Sequence, residues 1–188
     1  SALFSDSIGF YLTFHAVSVK ETGLLGAFFI DLLSKGSFMA DHEYWMRLAL
    51  AEAQKAAAED EVPVGAVLVK DGRLVALGRN DRERTQDPMG HAEMRALAAA
   101  AAEIGFWRLE GCSLYVTLEP CIMCSGAMLQ ARIDTLIFGA RDPKAGAIRS
   151  LYELVSDPRL NHRIEVVEGV LESESAALLK EFFKNKRK

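Results

Sequence analysis

Two short stretches of this chain carry residue types that hold a metal and move protons. They are His91-Ala92-Glu93 and Pro120-Cys121-Ile122-Met123-Cys124, with Glu93 and Pro120 27 positions apart. That separation accommodates a helix and a strand. One imidazole and two thiolates form a donor set suited to zinc. A closed structural zinc takes four protein ligands, whereas three leave the fourth tetrahedral position to water, as a hydrolytic zinc requires. The two thiolates balance the metal's charge, and zinc lowers the pKa of a bound water to near 7, so hydroxide is available at neutral pH. Glu93, two residues beyond His91, is then free to shuttle protons as a general acid and base.

The same residues admit plainer readings. A Cys-x-x-Cys pair also fits a redox dithiol or a closed zinc knuckle. A redox pair leaves His91 and Glu93 without a role. A closed site needs a fourth ligand, and between Met39 and the C-terminus the only other His or Cys residues are His42, Cys112 and His162. Cys112 stands at the start of an expected strand and reads as a small buried hydrophobe. His162 stays open between a loop residue and a site residue. Glu93 taken alone would also suit the first turn of a helix, where acids are favoured.

The elements that must position these groups follow from the hydrophobic pattern. Asp41 can cap a helix running to Glu59, with Met46, Leu50, Ala53 and Ala57 along one face. Val64 to Val69 and Leu74 to Leu77 flank Lys70-Asp71-Gly72-Arg73, and Asp-Gly between apolar runs predicts a two-stranded hairpin. A helix from His91 to Ile104, a strand Ser113 to Leu118, a helix Cys121 to Ala131 and a strand Thr135 to Phe138 come next. A strand Arg163 to Val167 and a helix Glu172 to Lys186 complete the order. Leu114-Tyr115-Val116 and Leu136-Ile137-Phe138 are continuous apolar runs, as in strands covered on both faces. The expected architecture is α/β, a three-layer α/β/α sandwich with a central mixed sheet. Pro120 is expected in the first helical turn, placing Cys121 and Cys124 at i and i+3 near a helix N-terminus, whose partial positive charge favours thiolates.

Composition bounds the rest. The chain has 188 residues, half of them apolar, enough for one domain with a substantial core. Three cysteines, two of them spaced as ligands, argue against a disulfide framework and for the cytoplasm. Net charge is −4, yet Lys180, Lys184, Lys186, Arg187 and Lys188 stand against Glu181 alone in the last nine positions, so this end is expected to meet an anion or to be a solvated basic tail. Residues 1–38 carry no period from which a function can be argued and are expected to be an N-terminal extension to a catalytic domain over 39–188. Leu24 to Leu33 is apolar except for Asp31, too short to span a bilayer, and no basic leader of a secretory signal precedes it. No membrane association is expected.

Beyond the metal motif, the chain carries His42-Glu43-Tyr44-Trp45-Met46-Arg47, Glu61-Val62-Pro63-Val64-Gly65-Ala66-Val67-Leu68-Val69, Leu114-Tyr115-Val116-Thr117-Leu118-Glu119-Pro120-Cys121 and Phe138-Gly139-Ala140-Arg141-Asp142. With Asn161-His162-Arg163 and Phe182-Phe183, these segments resemble the bacterial tRNA-specific adenosine deaminases, of the cytidine and deoxycytidylate deaminase superfamily, from about residue 42 onward. The H-x-E and P-C-x-x-C pattern is that of the zinc nucleobase deaminases generally, so the flanking segments carry the substrate assignment. The resemblance implies a cytidine-deaminase-like fold, a homodimer with one zinc per subunit, and an anticodon stem-loop substrate whose target base is turned out into the pocket. It also implies substrate contacts by Asn80, Ala92, Arg141, Asp142 and Phe183, with the basic final helix near phosphates and one of Phe182 and Phe183 packed inward. Without it, Asn80 reads as a turn residue. The chain departs from the family pattern at Ala145 and Ile148-Arg149.

The expected reaction is hydrolysis of wobble adenosine to inosine and ammonia. Zinc-activated hydroxide attacks C6, while Glu93 takes the water's proton, delivers it to N1 and later protonates the departing ammonia. Two competitors differ in what they predict. A free-base or nucleotide deaminase would turn over adenosine, cytidine or guanine without RNA. A zinc-stabilised RNA-binding module would bind the stem-loop and release no ammonia.

Overall fold

A computed structural model describes residues 42–187. The expected N-terminal extension over residues 1–38 and the cap at Asp41 lie outside the described residues. The first helix, α1, covers residues 42–58. Its buried face is Met46, Ala49, Leu50, Ala53 and Ala56, the i, i+3, i+4, i+7 stripe of a helix packed on a sheet. Ala57, expected on that stripe, is only half-buried, because Ala56 continues the row from Ala49 and Ala53.

Strands β1 (Gly65–Lys70) and β2 (Arg73–Arg79) form the expected hairpin. Lys70 faces Arg73 across a two-residue turn in which Asp71 and Gly72 have φ of 51° and 68°. Two consecutive positive φ values define the type I′ turn that suits strand twist, which is why Asp-Gly stands there. Next come α2 (Arg82–Thr85), a single turn absent from the sequence-based expectations, and α3 (Ala92–Ile104), closed by Gly105 at φ 75°. Strand β3 (Cys112–Leu118), helix α4 (Ile122–Ala131) and strand β4 (Thr135–Ala140) follow. After a 3-10 turn at Leu154–Ser156, β5 (Glu165–Glu168) and α5 (Glu172–Lys186) complete the described chain. Strand β5 starts two residues later than expected because Ile164 is drawn into the loop, its N–H bonding the Val155 carbonyl and its side chain buried.

The strand order is β2-β1-β3-β4-β5, with β1 antiparallel to both neighbours and β3, β4 and β5 parallel. Alternation along the strands divides the interior in two. Ala66, Leu68, Leu114, Val116, Leu136 and Phe138 pack with α3 and α4, and Val67, Val69, Tyr115 and Ile137 pack with Met46 and Ala49 of α1. Each fully buried large side chain in these layers contributes roughly 1.5–3 kcal/mol relative to exposure. The result is the expected three-layer mixed-sheet sandwich. Two glycines set its thickness. A Cβ at Gly65 would strike the Ala49 carbonyl of α1, and one at Gly78 the Ala92 carbonyl of α3. The second contact presses the start of α3 against the sheet, and His91 immediately precedes it.

Candidate active site

The N-termini of α3 and α4 converge beyond the C-terminal end of β3. His91 is the N-cap of α3 and Cys121 the N-cap of α4, both extended, with φ, ψ of −85°, 149° and −76°, 175°. Each gives its carbonyl to the first helical bond, to the Arg95 and Ser125 amides. Cys121 thus precedes the helix, and Pro120 lies outside it, contrary to the expectation of a first-turn proline. The cause is tertiary: Cys121 bridges Gly146 and the Pro120 carbonyl accepts from Ala147, holding this segment extended. Cys124, one turn into α4, is fully buried.

His91 Nδ1 lies 3.7 Å from Cys121 Sγ and 3.5 Å from Cys124 Sγ, and the two sulfurs are 3.7 Å apart. Tetrahedral zinc, with Zn–S about 2.3 Å and Zn–N about 2.0–2.1 Å, requires sulfurs about 3.8 Å apart and sulfur–nitrogen distances of about 3.5 Å. The triangle therefore fits zinc, and it is the only such metal-ligating group among the described residues. The candidate fourth ligands are engaged elsewhere: Cys112 is buried in the core, His162 Nε2 bonds the Ile133 carbonyl at 2.7 Å, and His42 Nδ1 meets the Tyr115 hydroxyl at 3.0 Å. The set is a three-ligand site.

The charges are arranged for metal binding. The hydrogen bond shared by the Cys121 and Cys124 sulfurs, together with His91, draws Cys121 down to about 4 although burial opposes it. The same hydrogen bond, joined by burial, pushes the Cys124 thiol up. Contact with Cys121 raises His91. A divalent cation held by the triangle would take the place of that shared proton. Glu93, in the first turn of α3, is 4 % exposed, and burial raises its pKa although its own backbone N–H and His91 oppose the shift. A carboxyl with raised proton affinity beside a metal triangle is suited to taking and returning a proton.

A cavity of about 230 Å³ opens above this floor, lined by Asn80, His91, Ala92, Glu93, Cys121 and Asp142 among others. The structure thus brings together Asn80, Ala92 and Asp142 with the metal-ligating set. Arg141 and Phe183 line instead a neighbouring groove of about 840 Å³, with Lys144, Lys180, Lys184 and Arg187. Val62, Leu118 and Asp142 line both, so groove and cavity adjoin. Arg141 is paired with Glu168 at 2.8 Å, and Asp142 turns its carboxylate to the Lys144 and Ala145 amides. Phe183 is exposed and Phe182 half-buried.

Sequence reasoning missed two buried carboxylates of the site. Glu119 accepts the backbone N–H of Asp142, Ile148, Arg149 and Ser150 and the Ser150 hydroxyl, fastening the loop that carries Asp142 and Ala145. The departures at Ile148-Arg149 therefore fall on residues whose backbone is held by Glu119. Glu61 accepts from Asn80 and from the start of α2. Neither carries a local signal of this role: Glu61 ends the acidic run Glu59-Asp60-Glu61, Glu119 stands alone before Pro120, and their partners are distant in sequence.

Comparison with known proteins agrees with this geometry. A sequence model of the family described as MafB19-like deaminase matches residues 40–187. The tRNA-specific adenosine deaminase of Bacillus subtilis is 47% identical over 150 residues, 80% of this chain and 93% of that protein. That of Agrobacterium fabrum is 47% identical over 149 residues, covering 79% and 98%. A structure solved in work on A-to-I editing by tRNA:A34 deaminases at the wobble position of transfer RNA superposes with a TM-score of 0.70 at 47% identity, covering 72% of this chain and 99% of that one. The guanine deaminase from Nitrosomonas europaea superposes at 0.65 with 26% identity, over 74% and 83%. With such identity over nearly the full length of the relatives, on a common fold, the chain belongs to the tRNA-specific adenosine deaminase family.

Proposed function

We propose that this chain converts adenosine to inosine at the wobble position of a tRNA anticodon by hydrolysis. The observation that carries the reading is the pairing of a three-ligand metal triangle with buried Glu93 on the floor of a single cavity. His91, Cys121 and Cys124 would hold zinc, which when bound supplies an activated water at neutral pH. The cavity, about 230 Å³, is smaller than the roughly 300–1,000 Å³ of drug-sized pockets, so it takes one flipped base.

Glu93 receives one proton of the attacking water and passes it to N1 of the adenine; it then takes the second proton from the new C6 hydroxyl and delivers it to the amine as the C6–N bond breaks and the C6 carbonyl forms. Water and adenosine give inosine and ammonia. Ala92 and Val64 wall the cavity and exclude bulk water, while Asn80 and Asp142 stand at its polar edge. The adjoining groove suits the flanking nucleotides, with cationic Lys144, Lys180, Lys184 and Arg187 for phosphates and exposed Phe183 for stacking. A homodimer in the cytoplasm belongs to the same reading: Ile122, Leu151 and Tyr152 leave large apolar surface exposed, and no helix among the described residues is long and apolar enough to cross a membrane.

The test is incubation of the zinc-loaded protein with an adenosine-wobble anticodon stem-loop, scoring inosine, with Glu93→Ala beside it. Inosine from the unaltered protein alone supports both substrate and catalytic residue. No inosine despite a full zinc complement, with turnover of free guanine or adenosine, would replace the reading by a free-base or nucleoside deaminase.

A further inference from the structure

Asn80 is 7 % exposed and lines the cavity with Glu93 and His91. Its Nδ2 donates to Glu61 Oε2 at 3.0 Å. Glu61 is itself 1 % exposed and accepts two further bonds, from the Glu83 N–H at 3.2 Å and the Arg84 N–H at 2.6 Å. Three N–H groups from two segments therefore converge on one buried side chain. A carboxylate only accepts, so an asparagine amide turned toward it must present its NH2 group. One N–H of Asn80 is thereby consumed, and its Oδ1 and second N–H are left in a fixed order. An amide free to flip would offer donor and acceptor in either order and read nothing.

The geometry points to Glu61 as a positioning residue that fixes the donor–acceptor order Asn80 presents to the nucleoside. Glu61 is neither a member of the metal triangle nor a residue that lines the cavity, so its contribution passes through Asn80. The same carboxylate stands in for the missing side-chain cap of α2, since Asp81 makes no such bond, and Arg82 of that turn also lines the cavity. Placement of the α2 turn is thus the competing route by which Glu61 could act. The inference rests on the reading of Asn80 as a nucleoside contact.

Glu61→Gln separates the routes. A glutamine amide at the same place puts an N–H against either Asn80 and Glu83 or Arg84, so the Asn80 amide loses its fixed order. Kinetics on the wobble-adenosine stem-loop would be compared for the unaltered protein, Glu61→Gln, Asn80→Ala and the double variant, each checked for zinc content. Loss of one hydrogen bond made by a positioned group corresponds to about a tenfold fall in kcat/KM. Glu61→Gln should show a fall of that order with zinc retained, and should cost nothing further in the Asn80→Ala background. An equal additional fall in that background assigns Glu61 to the α2 turn and overturns the inference, as does a single variant within twofold of the unaltered enzyme.

A spectroscopic arm needs no substrate and no Glu61 variant that folds. In the NMR spectrum of the unaltered zinc protein, the Asn80 side-chain amide, assigned by its loss in Asn80→Ala, should show one proton displaced and protected by the carboxylate. Both amide protons at the shifts of a solvated asparagine, exchanging equally fast with water, overturn the inference whatever the substrate. A displaced proton together with a fully active Asn80→Ala variant would instead refute Asn80 as the nucleoside contact, and with it the positioning role.

Discussion

Glu93 and Glu119 line the same cavity, both almost wholly buried, and they are opposite in construction. Burial raises the pKa of Glu93, and the groups opposing it are few. Burial also pushes on Glu119, but hydrogen bonds from the Ser150 hydroxyl and the Arg149, Ser150 and Asp142 amides outweigh it and hold its carboxyl below the ordinary 4.5. The first suits the mobile proton that the proposed reaction requires, and the second is an acceptor around which a loop is wound. A carboxylate surrounded by donors cannot accept a proton cheaply, and a carboxyl left without them cannot hold a loop. The site needs both behaviours and assigns them to different side chains.

The sharpest way to break this contrast is to neutralise each carboxyl in turn. Glu93→Gln keeps the volume and removes the proton acceptor, so kcat/KM should fall by about 10²–10⁴-fold, the ordinary worth of general acid–base catalysis. Zinc content by elemental analysis should stay full, and the melting temperature should not drop, since an uncompensated buried carboxylate is removed. A variant with reduced stability and near-normal turnover would reverse the two roles. Glu119→Gln should do the converse. It replaces an acceptor-only group by one whose amide opposes several backbone N–H groups, costing roughly 2–4 kcal/mol in denaturant unfolding. Its loss of kcat/KM should be much smaller than that of Glu93→Gln.

How legible each was in the sequence follows from where its partners lie. Glu93, His91, Cys121 and Cys124 stand two or three positions from one another within each motif, at the starts of helices marked by local signals. The Asp71-Gly72 hairpin was legible for the same reason. Glu119 bonds residues 23 to 31 positions away, and Glu61 bonds residues 19 to 23 away, so no local pattern announces either. Helix α2 is one turn long, too short for a periodic signal, and is held by Glu61 rather than by its own cap. The proximity of Arg141 to Glu168 likewise needs β4 and β5 to be paired first.

The pH dependence of stability sharpens the comparison further. Because the folded pKa of Glu119 lies below its ordinary 4.5, its contribution is fully present above that value and lost as pH falls through the folded one. The stability gap between the unaltered protein and Glu119→Gln should therefore be constant from neutrality down to about pH 5 and close below it, where protonated Glu119 resembles glutamine. A gap that persists into strong acid would mean that shape, not charge, holds the loop.

The smallest effect should come from the other side of the same contact. Gly146 packs so closely that an added Cβ would meet the Glu119 carboxylate and stand 2.6 Å from the Asp142 carbonyl oxygen. Gly146→Ala must push the loop off its anchor without altering any charge, at a cost of about 1–3 kcal/mol for overpacking. Asp142 and Ala145 of that loop line the cavity, so kcat/KM should fall by only a few fold while zinc stays bound. Combined with Glu119→Gln, the alanine should cost less than it does alone, because the carboxylate it displaces has already lost its donors. Full additivity of the two in unfolding measurements would show that the loop is held by the Cys121–Gly146 bridge and not by Glu119.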